Sequence, residues 1–285
     1  MLSLPKEAAP PLVTAHDFQR FADFFYRSTG ILFAPNKRYF VDRRLQERIV
    51  DSGHRTFGAY FDALRLGRDD GEYQALVNSM TINETYFYRE LYQLDCLINS
   101  VLPEVVTSLG SGRVIRIWSM PCSTGEEPYS IAFYLLEHWK LVDDYEIEIV
   151  ASDIDTEALR KAKLGVYSRR SLQFVPQPAV AKYTTAEGED SRRVIGALRE
   201  SIRFTRANLI ATIDEAGYRD FHVIFCRNLL IYFDDVSRRE AGQALFSALA
   251  PGGFVCLGHS ESMSRISSLF ELRKFPEAIV YQKPL

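Results

Sequence analysis

Cysteine and histidine are scarce in this sequence, and neither falls in a metal-binding pattern. The four cysteines (Cys96, Cys122, Cys226, Cys256) and five histidines are scattered with no paired spacing over 285 residues. That excludes a zinc module and a disulfide framework, and leaves buried, reduced thiols as the plain reading. Long hydrophobic runs are missing too. The longest, Ile131 to Leu136, falls far short of the ~20 residues that span a bilayer, so no membrane insertion is expected. No basic segment followed by an apolar stretch opens the chain, so a cytoplasmic protein is expected. Nor does charge of one sign dominate: 34 Lys+Arg against 37 Asp+Glu leave −3, which argues against nucleic acid as a partner. Phosphate-binding loops are absent as well. The only G-x-G, Gly110-Ser111-Gly112, precedes a strand-like run instead of following it, and no Walker pattern occurs.

What is present is the balance of a soluble globular chain, 47% hydrophobic and 25% charged, long enough for about two domains. The first ten residues, rich in Ala and Pro, read as a loose terminus. Residues 1–80 then read as all-helical. Phe18, Phe21 and Phe25 share one face of a helix that Gly30 can close. Pro35-Asn36 opens a second helix with Val41, Leu45 and Ile49, ended by Ser52-Gly53. Thr56 caps a third helix with Phe57, Tyr60, Phe61 and Leu64, and a fourth carries Tyr73, Leu76, Val77 and Met80. Residues 81–110 read as an interdomain linker and helix. Residues 111–285 change texture: strand-like runs at 114–118, 146–151, 222–226, 254–257 and 278–281 alternate with helical segments. That is the pattern of parallel βαβ units in a doubly wound α/β domain. The stretch 170–206 breaks into short pieces and reads as a small inserted β-subdomain.

In such a sheet, ligands bind beyond the carboxyl ends of the strands. The loop after Trp118 runs from Ser119 to Ser130 and carries adjacent Glu126 and Glu127, which would repel a diphosphate and suit a cationic or neutral ligand end. A sulfonium nucleoside with an amino-acid tail fits this better than a dinucleotide. Asp153 lies beyond the second strand, where a carboxylate either accepts ribose hydroxyls or caps the next helix; for Asp155 the cap is favoured. Glu126, taken alone, reads equally as a solvated first-turn glutamate. Tyr86, Phe87 and Tyr88 read as core aromatics, and His259 as a loop histidine. Arg227 reads equally as a structural partner of Asp153 or Glu127.

The stretch Thr81-Ile82-Asn83-Glu84-Thr85-Tyr86-Phe87-Tyr88-Arg89-Glu90 resembles the signature of the chemotaxis receptor methyltransferases, the CheR family. So do Ser123 to Ser130, Ala151 to Asp155, Phe225 to Asn228 with Ile231 to Asp234, and Gly258 to Glu261, all in the family's order. The resemblance implies a Rossmann-like methyltransferase domain. It implies S-adenosylmethionine as donor, S-adenosylhomocysteine as product and no metal. The implied acceptors are glutamates of the cytoplasmic domain of chemoreceptors. It implies further that Asn83, Thr85 and Arg89 close over the cofactor, and that Glu127 meets its amino-acid end and Asp153 its ribose. Asn208, Leu209, Arg227 and Asn228 would surround the remaining portions, and Arg89 and Tyr232 would lie near the reactive methyl. The alternatives are a non-catalytic module binding the cofactor or its product, and a methyltransferase on another substrate.

Two further expectations concern the partner. Lys37, Arg44 and Arg48 fall on one face of the second helix, in a segment with six basic and three acidic residues. That face is expected to dock the acidic receptor. The loop Tyr183 to Ser191 has one glycine and three carboxylates, so binding of a receptor-tail pentapeptide is not expected.

Overall fold

The computed structural model describes residues 12–67, 70–109, 114–211 and 218–285. The loose terminus expected for the first ten residues and the Gly110-Ser111-Gly112 stretch lie outside them. The chain divides into two compact units, Met1–Thr81 and Ile82–Leu285.

The first unit is helical: α1 (Ala15–Thr29), α2 (Arg38–Asp51), α3 (Phe57–Arg65) and α4 (Asp70–Met80). Thr14 and Asp17 form a reciprocal capping box at the start of α1, and Gly30 ends it at φ +74°. Phe18, Phe21 and Phe25 are buried together with Val41, Leu45 and Ile49 of α2. Thr56 caps α3 through the Ala59 N–H. The basic face of α2 differs from the expectation. Arg48 makes a two-pronged contact with Glu72, which also accepts the Tyr60 hydroxyl. Arg44 gives its Nε–H to the Ser79 carbonyl at 2.5 Å and lies 3.7 Å above the Phe40 ring. Only Lys37 of the three is exposed. Arg48 is therefore a structural ion pair inside the unit, because Glu72, far off in sequence, folds back onto it.

The second unit begins with α5 (Leu91–Cys96) and α6 (Leu102–Leu109), joined by one π-helical stretch at Leu97–Val101. The segment expected as a linker thus enters the core through Phe87, Tyr88, Leu94 and Cys96. There follow β1 (Val114–Ser119), α7 (Glu126–His138), β2 (Glu146–Asp153), α8 (Thr156–Leu164), β3 (Val166–Ser168), α9 (Gln177–Tyr183), β4 (Thr184–Glu187) and β5 (Ser191–Val194). After them come α10 (Gly196–Ser201), β6 (Ile202–Arg206), β7 (Phe221–Cys226), α11 (Asp235–Ala248), β8 (Leu249–Leu257), β9 (Glu271–Lys274) and β10 (Ile279–Gln282). The main sheet has the order β6-β2-β1-β7-β8-β10-β9. Its first five strands are parallel neighbours, whereas β10 pairs antiparallel with both β8 and β9.

Two boundaries differ from the sequence reading. The small antiparallel sheet, ordered β3-β5-β4, starts at Val166 and ends at Val194. Strand β6, expected inside the insertion, is an edge of the main sheet, paired with β2 from Ile149↔Ile202 to Asp153↔Arg206. Its short alternation, Ile202 and Phe204 inward, resembles that of the small strands, and only the pairing distinguishes it.

Candidate active site

Strands β1, β2 and β7 end side by side, and the loops leaving them carry the site. The loop after β1 turns back sharply: Cys122 gives its N–H to the Ser152 carbonyl, Ser123 stands at φ +49° and Gly125 at φ +98°. A Cβ on Gly125 would lie 2.7 Å from the Tyr167 hydroxyl and 2.8 Å from the Ala162 Cβ, so only glycine fits. The turn aims the start of α7, with Glu126 and Glu127, at the strand ends. The two glutamates then diverge. Glu126 is buried and accepts the hydroxyls of Thr124 and Ser171, so the solvated reading fails. Glu127 lines a cleft with Thr85, Arg89, Arg227 and Asn228 that holds about 580 Å³ of empty space.

Arg227, 5% exposed, lies between two carboxylates, Glu127 at 2.9 Å and Glu90 at 3.0 Å. Of the two partners the sequence suggested, the structure selects Glu127 over Asp153 and adds Glu90. Burial opposes the Arg227 charge, yet the two carboxylates overcome it and hold its pKa above the usual guanidinium value. Burial would raise Glu90, but Arg227 and His259 hold it below the usual range. Glu127 stays raised by burial despite Arg227 and the Ser119 hydroxyl. The group as a whole carries one excess negative charge, and Arg227 Nε is buried with no acceptor among the described residues.

Asp153 ends β2. Its carboxylate accepts the N–H groups of Ser123 at 2.8 Å and Asp155 at 2.9 Å, yet burial pushes its pKa up to about 6. Lone-pair sites remain on it for further donors. Asp155 caps α8 through the N–H groups of Glu157 and Ala158 and accepts the Asn83 side-chain amide at 2.7 Å. Asn83 in turn accepts the Ser123 hydroxyl, so it ties the 82–89 segment to both loops. Asn208 follows β6, where the Ala207 N–H meets the Asp153 carbonyl; its own side chain accepts the Ile210 N–H, and Leu209 is buried. Arg89 gives an N–H to the Glu84 carbonyl at 2.8 Å. Tyr232 is half-buried; burial raises its phenol, with Glu84 raising it further and Arg89 opposing.

Phe87 and Tyr88 are core aromatics, whereas Tyr86 is 38% exposed against Phe174. His259 is an exposed loop residue in contact with Glu90. Burial raises the thiols of Cys122 and Cys226, which makes both poor nucleophiles. Lys37, Arg44 and Arg48 belong to the other unit. Two contributors had no role in the sequence reading: Glu90 and Glu261, which accepts the N–H groups of Gly258, Asn228 and Leu230, each at 2.8 Å. Both lie inside the quoted stretches, but nothing in a linear string marks a carboxylate as the partner of a distant loop.

The donor set fits a ligand with vicinal hydroxyls, an ammonium and a carboxylate. Asp153 offers acceptors, the negative excess around Glu127 calls for a cation, and Arg227 Nε is a spare donor. S-adenosylmethionine has all three features and a sulfonium besides.

The comparisons agree. Residues 83–279 match the family described as CheR methyltransferase, SAM binding domain, and residues 16–81 match CheR methyltransferase, all-alpha domain. The chain is 50% identical over 275 residues to chemotaxis protein methyltransferase 2 of Vibrio cholerae, covering 96% of this chain and 94% of that protein. It is 35% identical to the chemotaxis protein methyltransferase of Escherichia coli (92% and 89% covered). It is 37% identical to chemotaxis protein methyltransferase 2 of Pseudomonas aeruginosa (90% of each covered). With both of its units matched and relatives of this similarity along nearly its whole length, the chain belongs to the CheR methyltransferase family and is an S-adenosylmethionine-dependent methyltransferase.

Proposed function

We propose that this enzyme methylates glutamate side chains in the cytoplasmic domain of bacterial chemoreceptors, giving methyl esters that adjust chemotactic signalling. One observation carries the reading. Arg89, Glu127, Arg227 and Asn228 line one cleft from separate segments, and its wall includes a buried carboxylate–guanidinium group. The cofactor-binding residues are Asn83, Thr85, Arg89, Glu127, Asp153, Asn208, Leu209, Arg227 and Asn228. Its place of action is the cytoplasm; among the described residues, no helix is long and apolar enough to cross a membrane.

When bound, S-adenosylmethionine supplies a methyl group activated by its sulfonium charge. A glutamate, with an ordinary pKa of ~4.3, is already ionised at neutral pH, so the chain needs no general base. A carboxylate loses its charge as it is alkylated, so a full ion pair with Arg89 would favour the reactant over the transition state. Arg89, already bonded to the Glu84 carbonyl, orients the acceptor, and Tyr232 donates a neutral hydrogen bond. Glu127 balances cationic charge at the amino-acid end, Asp153 holds hydroxyls, and the buried walls exclude water.

The test is transfer of radiolabelled methyl to receptor-containing membranes, scored as base-labile ester. Ester on the receptor, surviving a metal chelator, is the expected result. Cofactor binding without any transfer points to a non-catalytic module, and base-stable label or label elsewhere points to another substrate. Either result overturns the proposal.

A further inference from the structure

At the carboxyl edge of the main sheet the loop after β7 carries Leu230, Ile231 and Tyr232, and the loop after β8 carries Ser260, Glu261 and Ser262. Between these loops and the first turns of α11 lies an open groove with about 890 Å³ of empty space, distinct from the cleft around Glu127. Arg238, Arg239 and Arg265 line it. Arg238 is fixed, with Nε–H bonded to the Leu230 carbonyl at 3.0 Å and a second nitrogen 3.3 Å from Asp235. Arg239 and Arg265 are exposed and have no hydrogen bond or ion pair among the described residues. Two carboxylates adjoin the groove. The Asp235 side chain is 84% exposed, and Glu261 is engaged by three backbone N–H groups. Positive charge is therefore in excess. Ile231, 45% exposed, and the half-buried Ile266 add apolar surface beside it.

We infer that this groove docks the acidic, amphipathic stretch of receptor that carries the acceptor glutamate; the inference rests on the protein-glutamate reading above. Apolar surface flanked by unpaired guanidiniums complements a segment with aliphatic side chains on one face and carboxylates along its border. A small anion would call for an enclosed site with buried donors, whereas these free cations stand exposed. Glu261 links the groove to the chemistry, since it bonds Asn228 in the cleft wall and Leu230 in the groove wall. Tyr232 follows Ile231 directly.

The test compares wild type with an Arg239→Glu/Arg265→Glu double variant in receptor methylation. A Lys161→Glu/Lys163→Glu variant on α8 changes the net charge equally and serves as control. Reversal in the groove is expected to raise the receptor KM about tenfold and flatten its rise with salt. The kcat at saturating receptor and the calorimetric affinity for S-adenosylhomocysteine should match wild type. Wild-type methylation with an unchanged KM in the groove variant overturns the groove alone. An equal KM rise in the α8 control overturns local docking in favour of whole-molecule charge. Inhibition by inorganic phosphate that the groove variant loses, with receptor KM unchanged, marks a small-anion site and overturns the proposal. Absence of receptor ester in wild type overturns both this inference and the reading beneath it.

Discussion

Asp153 combines two opposed effects. Burial pushes its pKa from 3.8 to about 6, although the N–H groups of Asp155 and Ser123 favour the ionised form. With the folded value raised, the folded chain binds the proton more tightly than the unfolded one, so ionisation removes stability as pH rises through about 4 to 6. Hydroxyl donors favour the ionised carboxylate. Affinity for S-adenosylhomocysteine is therefore expected to be full above about pH 6 and to weaken about tenfold per unit below it. Calorimetric titration across that range checks this, and Asp153→Ala should weaken binding by ~1–3 kcal/mol, roughly 10–100-fold, and abolish the pH dependence. Arg227 is the second critical residue. Arg227→Met leaves Glu90 and Glu127 without their shared cation, at a cost of ~3–5 kcal/mol in urea unfolding. Glu90→Gln should cost less, because Glu127 still faces the guanidinium. Equal stability of wild type and Arg227→Met would refute this account. Asp153 was visible from its place after a strand, but Glu90 was not, since its partner lies 137 positions away by number (227 − 90).

Elements whose ends carry their own signals were readable, and elements defined by pairing were not. Helices α1 to α3 follow from the spacing of Phe18, Leu45 and Tyr60 with their neighbours and from local stops and caps such as Gly30 and Thr56. The charge on α2 was equally visible, but its use was not. Arg48→Ala, which removes the two-pronged partner of Glu72, is expected to lower stability by ~1–3 kcal/mol and to leave the receptor KM unchanged. A raised KM with unaltered stability would restore the docking role first expected of Arg48. The β4–β5 hairpin carries the other element-scale prediction. Its turn uses Gly188 at φ +68°, Arg193 is bonded to Glu187 and Arg192 to Thr184, so both arginines are engaged within the hairpin. A receptor-tail pentapeptide is expected to give no heat on titration, and receptors lacking the tail should be methylated as fast as intact ones. Micromolar binding would contradict this.

For the molecule as a whole, the candidate cofactor cleft lies in the second unit and draws on segments from residue 82 to 228. A ligand that binds only the folded form stabilises it by mass action. S-adenosylhomocysteine at about 100 times its Kd should therefore add ~2.7 kcal/mol to the stability of the unit that holds it, read as a rise in its Tm. No shift at saturation would place the ligand elsewhere. The sequence alone determined the helical first unit, the alternation of strand and helix, and the loops that line the candidate site. Those properties depend on residues within a turn or two of each other: apolar spacing, capping side chains, and the position of a carboxylate after a strand. Only the tertiary structure decided that β6 edges the main sheet, that β10 runs against both of its neighbours, and that Arg48 belongs to Glu72. It alone chose Glu127 over Asp153 for Arg227, added Glu90, and gathered Arg238, Arg239 and Arg265 into one groove. Such pairings follow from which buried or charged groups meet when distant segments pack, and local spacing carries no information about those meetings.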